Sequence, residues 1–279
     1  MPRINKKQRD FIELVWRHYA QHGRVLPWRN NHRAYRVLVS ELMLQQTQVE
    51  RVKPKFQNFI KQFPSCKALA AAPLADVLTA WQGLGYNRRA RFLHETARIL
   101  KSDYAGRIPR DEATLVALPG IGVYTARAIL VFSYNIPTVL IETNIRSVFL
   151  HHFFEDASNV HDRDILPLID QTLDTAQPRI WYWALMDYGA ALKSSGINPS
   201  RASVHHTKQK PFRGSDRELR GALLRAILLH QRSFDELLSI ATATNKDVTV
   251  ARTRSLLRDL SRDGLITKHD DRFAAPLAT

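Results

Sequence analysis

Leu118-Pro119-Gly120-Ile121-Gly122-Val123-Tyr124-Thr125-Ala126 is the stretch on which the fold turns. It lies between a helical pattern ending near Val116 and another running from Thr125 to Phe132. Two glycines separated by one residue allow a tight hairpin between helices and let backbone N–H groups approach an anion with no side chain in the way. The following helix adds the partial positive charge of its N-terminus, so the loop through Leu118, Gly120 and Gly122 suits a phosphate. Gly-x-Gly alone is an ordinary turn signal. The Leu-Pro before it and the basic character of the chain strengthen the hairpin reading.

Outward from the hairpin, from Lys6 to about Leu192, apolar residues recur at three- and four-residue spacing with few alternating runs. Phe11, Val15, Trp16 and Tyr19 form one helical face, and Tyr35 to Val52 another through Val37, Leu38, Leu42, Leu44 and Val49. Ala72-Pro73-Leu74 opens a helix to about Trp81, which stops at Gly83-Leu84-Gly85 before a helix from Arg88 to Leu100. Short helices joined by Pro/Gly turns predict an all-α domain over residues 1–193.

The 279 residues carry 41 Lys+Arg against 26 Asp+Glu, a formal +15, with +6 of it in residues 201–279 and +9 in residues 1–200. A charge spread over both portions points to a polyanionic partner. The 44% hydrophobic content excludes disorder as a general description. A single cysteine, Cys66, excludes an internal disulfide and any metal centre built on several thiolates. No apolar run approaches the roughly 18–20 residues of a membrane helix, and the N-terminal residues resemble no signal peptide, so the expected location is cytoplasmic and no membrane partner is expected.

Periodicity fails over residues 194–215, which read as a linker containing His205 and His206. Adjacent histidines share no helix face, so two solvated side chains are the better reading than a metal pair. In residues 216–279, three helical patterns, Arg217–Leu229, Phe234–Ala241 and Val250–Arg262, precede a candidate hairpin over residues 264–274. This order predicts a winged-helix-like α+β domain whose third helix presents Arg252, Arg254 and Arg258, with Arg262 beyond them, as candidate DNA contacts. The competing reading is an exposed, solvated helix face.

Two acids stand in unusual surroundings. Glu142 follows the apolar Val139-Leu140-Ile141, where a carboxylate is costly unless it has partners or work. Thr143 or Asn144 can cap the helix Ile145–Phe153, with Glu142 favouring its dipole. Glu41 is embedded in the apolar Val39-Ser40-Glu41-Leu42-Met43-Leu44-Gln45-Gln46-Thr47-Gln48. Solvent exposure is the default for such a lone acid, and a cleft is the alternative.

Together, Glu41 with Leu-Gln-Gln-Thr-Gln, Gly83-Leu84-Gly85-Tyr86, Leu-Pro-Gly-Ile-Gly and Glu142-Thr143-Asn144-Ile145-Arg146 resemble the helix-hairpin-helix DNA glycosylases of the endonuclease III superfamily. The adenine DNA glycosylases of the MutY type are nearest, from about Trp28 to Gly189. The resemblance implies two helical lobes and an enzyme that flips a mispaired base out of duplex DNA, most readily adenine opposite 8-oxoguanine or guanine, and hydrolyses its N-glycosidic bond. Glu41 falls on the general acid that protonates the leaving adenine, a role suited to a partly buried carboxyl. Glu142 falls on the family's Asp, which stabilises the oxocarbenium-like sugar and guides water. Tyr124 stands where strand-nicking relatives carry lysine, so no Schiff base and no lyase step are expected. Asn144 positions the sugar or Glu142; Gln45, Gln46 and Tyr86 fill or wedge the vacated space; Trp28 and Arg29 match the base-pocket wall.

Three departures accompany the match. Glu142 is longer than the family's Asp by one methylene, about 1.5 Å. Lys193 stands where the first cysteine of the family's four-cysteine iron–sulfur cluster belongs, so no cluster is expected and a hydrogen-bonded or apolar segment must replace it. The winged-helix-like segment follows where relatives carry a β-rich domain that reads 8-oxoguanine. No cofactor is expected beyond a monovalent cation at the hairpin carbonyls, and a monomer associated with the nucleoid is the expected state. The alternatives are a uracil or thymine mismatch glycosylase and a non-catalytic DNA-binding protein on this scaffold.

Overall fold

The computed structural model describes residues 4–206 and 211–276; residues 207–210 of the expected linker lie outside the described residues. In chain order the helices are α1 Lys6–His22, α2 Ala34–Leu44, α3 Val49–Gln62, α4 Cys66–Ala71, α5 Leu74–Ala80, α6 Arg88–Asp103, α7 Glu112–Val116, α8 Val123–Tyr134, α9 Thr143–Phe153, α10 Asp162–Thr172, α11 Pro178–Ser194, α12 Asp216–Leu229, α13 Phe234–Thr244 and α14 Val250–Arg262. Three short strands, β1 Arg232–Ser233, β2 Thr267–His269 and β3 Arg272–Ala274, form the sheet. The fold is mostly α, as the periodicity predicts.

The chain packs as two compact units. One comprises Met1–Val37, Arg110–Val116 and Ile121–Lys208; the other comprises Leu38–Pro109, Ala117–Gly120 and Gln209–Thr279. Segments far apart in sequence close each unit, which leaves no compositional boundary to read. Residues 216–279, expected as a separate domain, share a unit with residues 38–109.

In the first unit α1, α9 and α11 pack together. Asn5 and Gln8 form a reciprocal capping box at the start of α1. Phe11 then meets Phe149 at 5.2 Å between ring centroids and Trp181 edge-on at 6.3 Å. Pro178 opens α11 at the helix position where a missing N–H costs least. A Cβ on Gly189 would stand 2.4 Å from the Asn144 backbone oxygen, so only glycine lets α11 approach the start of α9 this closely. The first part of the expected linker is ordered. Pro199–Ala202 forms a 3-10 turn, and Val160 N–H donates to Ala202 O at 2.9 Å while Val204 N–H donates to Val160 O at 3.2 Å.

In the second unit Trp81, fully buried at the end of α5, meets Phe59 of α3 edge-on at 5.9 Å and Arg89 of α6 at 5.5 Å, and Phe56 and Leu93 are fully buried as well. The expected continuous helix from Tyr35 to Val52 is broken, α2 ending at Leu44 and α3 beginning at Val49. Gln46 takes a left-handed φ of 54° at the break, and Arg89 supplies the physical cause. Its Nη1 donates to the carbonyls of Leu42, Met43 and Gln45 at 2.6, 3.0 and 2.5 Å, satisfying from the side groups that a longer helix would satisfy internally.

The C-terminal part of this unit runs α12, β1, α13, α14, β2, β3, with strand order β1-β3-β2 and both pairings antiparallel. Phe273 pairs with Arg232 on one side and Lys268 on the other. Ser215, Ser233 and Thr249 cap α12, α13 and α14. Strand β1 escapes the sequence because two residues carry no alternation. Asp263 fastens the segment to α6, its backbone oxygen accepting from Arg91 at 2.6 Å, and within the segment its carboxylate accepts from Arg220 of α12 at 2.6 Å.

Candidate active site

Glu142 is itself the N-cap of α9, in place of the expected Thr143 or Asn144. Its Oε1 accepts the backbone N–H groups of Asn144 and Ile145 at 2.8 and 2.9 Å, and its Oε2 accepts the Asn144 amide at 3.2 Å. An extended backbone at Glu142 aims the side chain back over the first turn, where the orphan N–H groups lie. Burial of the carboxyl pushes its pKa above the ordinary value, while those N–H groups and the charges of Arg146 and Arg24 pull the other way. The result is a carboxyl fixed in direction by three donors, with a net upward displacement of its pKa.

Asp187, which the sequence reading passed over, organises the same unit. Its carboxylate accepts from Arg29 Nη1 and Nη2 at 2.8 Å each, and from Arg24 Nε and backbone N–H at 2.8 Å each. Burial alone would raise the Asp187 pKa; the hydrogen bonds and charge of Arg29, with Arg24, more than offset it, and the net direction is down. Arg29, expected in a base-pocket wall, spends its fork on this buried pair and lies over Trp183 at 5.1 Å. Trp28 is buried beside it in sequence, 8% exposed. The signal available in the sequence was an acid within the apolar run of α11. Tyr124 lies half-buried in the first turn of α8.

At the hairpin, Leu118 is buried and Gly120 holds φ 74° with its Cα against Phe92, where a Cβ would come within 2.7 Å. Gly122 differs: its φ is −88° and a Cβ there would meet no atom within 4 Å. Gly120 is required by conformation and packing. Gly122 instead sits at an open start of α8, where Gly122 and Val123 are exposed.

Glu41 lies in the second unit, on α2 one turn before Gln45, and is 8% exposed between fully buried Ser40 and Leu42. The default expectation of a solvated acid is thereby overturned. Gln45 and Gln46 follow at the helix break, and Tyr86 lies at the Gly83–Tyr86 turn with φ 47°. Arg89 joins the two features, since its Nη2 also donates to Leu84 O and Gly85 O at 3.3 and 3.0 Å and its Nε to Tyr86 O at 3.3 Å. Burial lowers the Arg89 pKa to about 10, which leaves it charged at neutral pH.

Of the candidate arginines on α14, Arg252 is engaged within its own unit, donating to Asp216 at 2.8 Å and Gly214 O at 3.0 Å. Arg254 lies over Phe234 at 5.0 Å, and both Arg254 and Arg258 are exposed.

The family's iron–sulfur cluster does not fit the donors present. Cys66 is the chain's one cysteine, buried on α4 with its thiol pKa pushed up to about 12 by burial, and Lys193 is exposed in the last turn of α11. The hydrogen-bonded 3-10 turn and the Val160–Ser203 bridge close the segment after α11.

Residues 39–165 match the HhH-GPD superfamily of base excision DNA repair proteins. The adenine DNA glycosylase of Mycolicibacterium smegmatis is 38% identical over 233 residues, 76% of this chain and 78% of that protein. That of Mycobacterium tuberculosis is 34% identical over 290 aligned positions, covering 94% of this chain and 92% of its own, so the likeness extends into the C-terminal segment. Among solved structures, a thermostable thymine-DNA glycosylase is 25% identical with TM-score 0.61, covering 67% of this chain and 87% of that one. A non-covalent endonuclease III–DNA complex shares the fold at 18% identity and TM-score 0.56, over 76% of this chain and 92% of that one. With its hairpin, its buried acids and this degree of likeness, the chain belongs to the adenine DNA glycosylase family within the HhH-GPD superfamily of base excision DNA repair proteins.

Proposed function

We propose that the protein is a monofunctional adenine DNA glycosylase, acting as a monomer on duplex DNA and releasing adenine paired with 8-oxoguanine or guanine, without an iron–sulfur cluster. The observation that carries this reading is Glu41, a carboxyl held 8% exposed on a helix whose neighbouring side chains are core. A carboxyl so held has little contact with bulk water, as suits a group that hands its proton to a bound base. Glu41 gives a proton to the adenine ring, the bond from C1′ to the base breaks with its electron pair going to the base, and adenine leaves neutral. The carboxylate of Glu142, directed by Asn144 and the α9 N-terminus, stabilises the cationic sugar and takes a proton from the water that attacks C1′, leaving an abasic site. Tyr124 offers no amine, so the strand stays intact.

The test is single-turnover cleavage of labelled duplexes carrying A·8-oxoG, A·G, U·G and T·G, with and without alkali, by wild type and Glu41→Gln. Release from the adenine duplexes, nicked only after alkali and lost in Glu41→Gln, is expected. The likeness to a thymine-DNA glycosylase favours a second reading, for which release confined to T·G or U·G would be the signature. Silence across the panel with retained binding would overturn both.

A further inference from the structure

Tyr86 is gripped from two sides within one unit. Arg89 holds its backbone in a left-handed conformation, and the side chain is held separately by Arg217, on α12 of the C-terminal segment. Arg217 Nη1 donates to the Tyr86 hydroxyl at 3.1 Å, and its guanidinium lies 5.7 Å from the ring centroid. Arg89 approaches the same ring at 5.5 Å. Two cavities, of about 450 and 420 Å³, are both bordered by Gln46, Tyr86, Asn87 and Arg217, so the pair stands where they meet. Helix α12 is itself anchored: Ser215 caps it, Glu218 accepts the Gly214 N–H at 2.6 Å, and Arg220 is paired with Asp263.

We propose that Arg217 is a positioning residue that presets the Tyr86 side chain for entry into the DNA duplex, making α12 part of the apparatus that opens the base pair. An unrestrained tyrosine must give up rotamer freedom when it inserts, and a donor already fixing its hydroxyl removes that cost from the step. The inference rests on the glycosylase reading in taking DNA as the ligand and Tyr86 as the side chain that enters the vacated space.

The experiment compares wild type, Arg217→Ala, Arg217→Lys, Tyr86→Phe and the Arg217→Ala/Tyr86→Phe double variant on two readouts. One is the single-turnover excision rate at saturating protein. The other is the fluorescence of 2-aminopurine beside a non-cleavable abasic analogue, which reports unstacking without hydrolysis. Arg217→Ala and Tyr86→Phe each lower the rate and the fluorescence gain about tenfold, the usual weight of one hydrogen bond to a charged group. The double variant falls no further, Arg217→Lys lies between, and the half-saturating protein concentration and melting temperature hardly move. Additive losses, or an Arg217→Ala loss of affinity alone on matched and mismatched duplex equally, would overturn the proposal and make Arg217 a phosphate contact. Coupled fluorescence changes in a wild type that binds but releases no base would sustain the proposal while the proposed chemistry failed.

Discussion

Arg29 and Asp187 form a two-pronged ion pair with both N···O distances at 2.8 Å and side chains 6% and 1% exposed. The pair joins the segment before α2 to the middle of α11, 158 residues apart. Both segments belong to the unit that carries Glu142.

Asp187→Asn leaves the Arg29 charge buried beside an amide and is expected to cost about 3–5 kcal/mol, read as a fall in denaturation midpoint. The pH dependence follows from its lowered pKa. The unfolded Asp binds protons more tightly than the folded one, so its stabilisation is present above about pH 4, the unfolded value, and is lost as pH falls through the folded pKa. Acid titration of wild type against Asp187→Asn checks it, the two converging at low pH.

Glu142 has the opposite sign. Its folded pKa is raised by burial, so ionising it opposes folding and stability falls as pH rises through the folded value. In the proposed mechanism Glu142 works as the carboxylate, so the acid limb of the single-turnover rate is expected above the ordinary Glu value of about 4.3. Glu142→Gln keeps the cap and removes that limb together with most of the rate; undiminished turnover would count against the assigned role.

The two hairpin glycines are expected to separate stability from binding. Gly120→Ala meets Phe92 and an unfavourable φ, and is expected to cost about 1–3 kcal/mol in a thermal melt. Gly122→Ala meets no atom within 4 Å and leaves the melt nearly unchanged, yet weakens duplex binding by covering an open helix N-terminus. Titration with fluorescent duplex distinguishes the two.

Gly189→Ala places a methyl against backbone, 2.4 Å from Asn144 O, which no rotamer change relieves. A loss of at least about 1–3 kcal/mol is expected, with excision slowed more than binding because the start of α9 carries Glu142. Rates at saturating protein compared with half-saturation separate these effects.

Arg89→Lys retains the charge but replaces a fork of five N–H donors with one ammonium, leaving several carbonyls of the α2 end and the Gly83–Tyr86 turn without a donor. A stability loss of about 3 kcal/mol is expected, checked by chemical denaturation.

The sequence by itself determined the helices, the hairpin and the three-helix order of the C-terminal segment. Those features rest on local signals: apolar spacing, Pro/Gly punctuation and capping residues that need only their neighbours. It also excluded an internal disulfide and a centre ligated by four cysteines of this chain, since one cysteine cannot supply them. Only the tertiary structure decided that α2 ends at Leu44, because the donor that ends it, Arg89, comes from another helix 47 residues from Leu42. Only the fold made Glu41 buried, made Glu142 the cap of α9, turned Arg29 from an open wall into the partner of Asp187, and brought Arg217 to Tyr86 from 131 residues away. Each is a long-range pairing or a burial, and a polar side chain takes its partner from whatever the packing sets beside it.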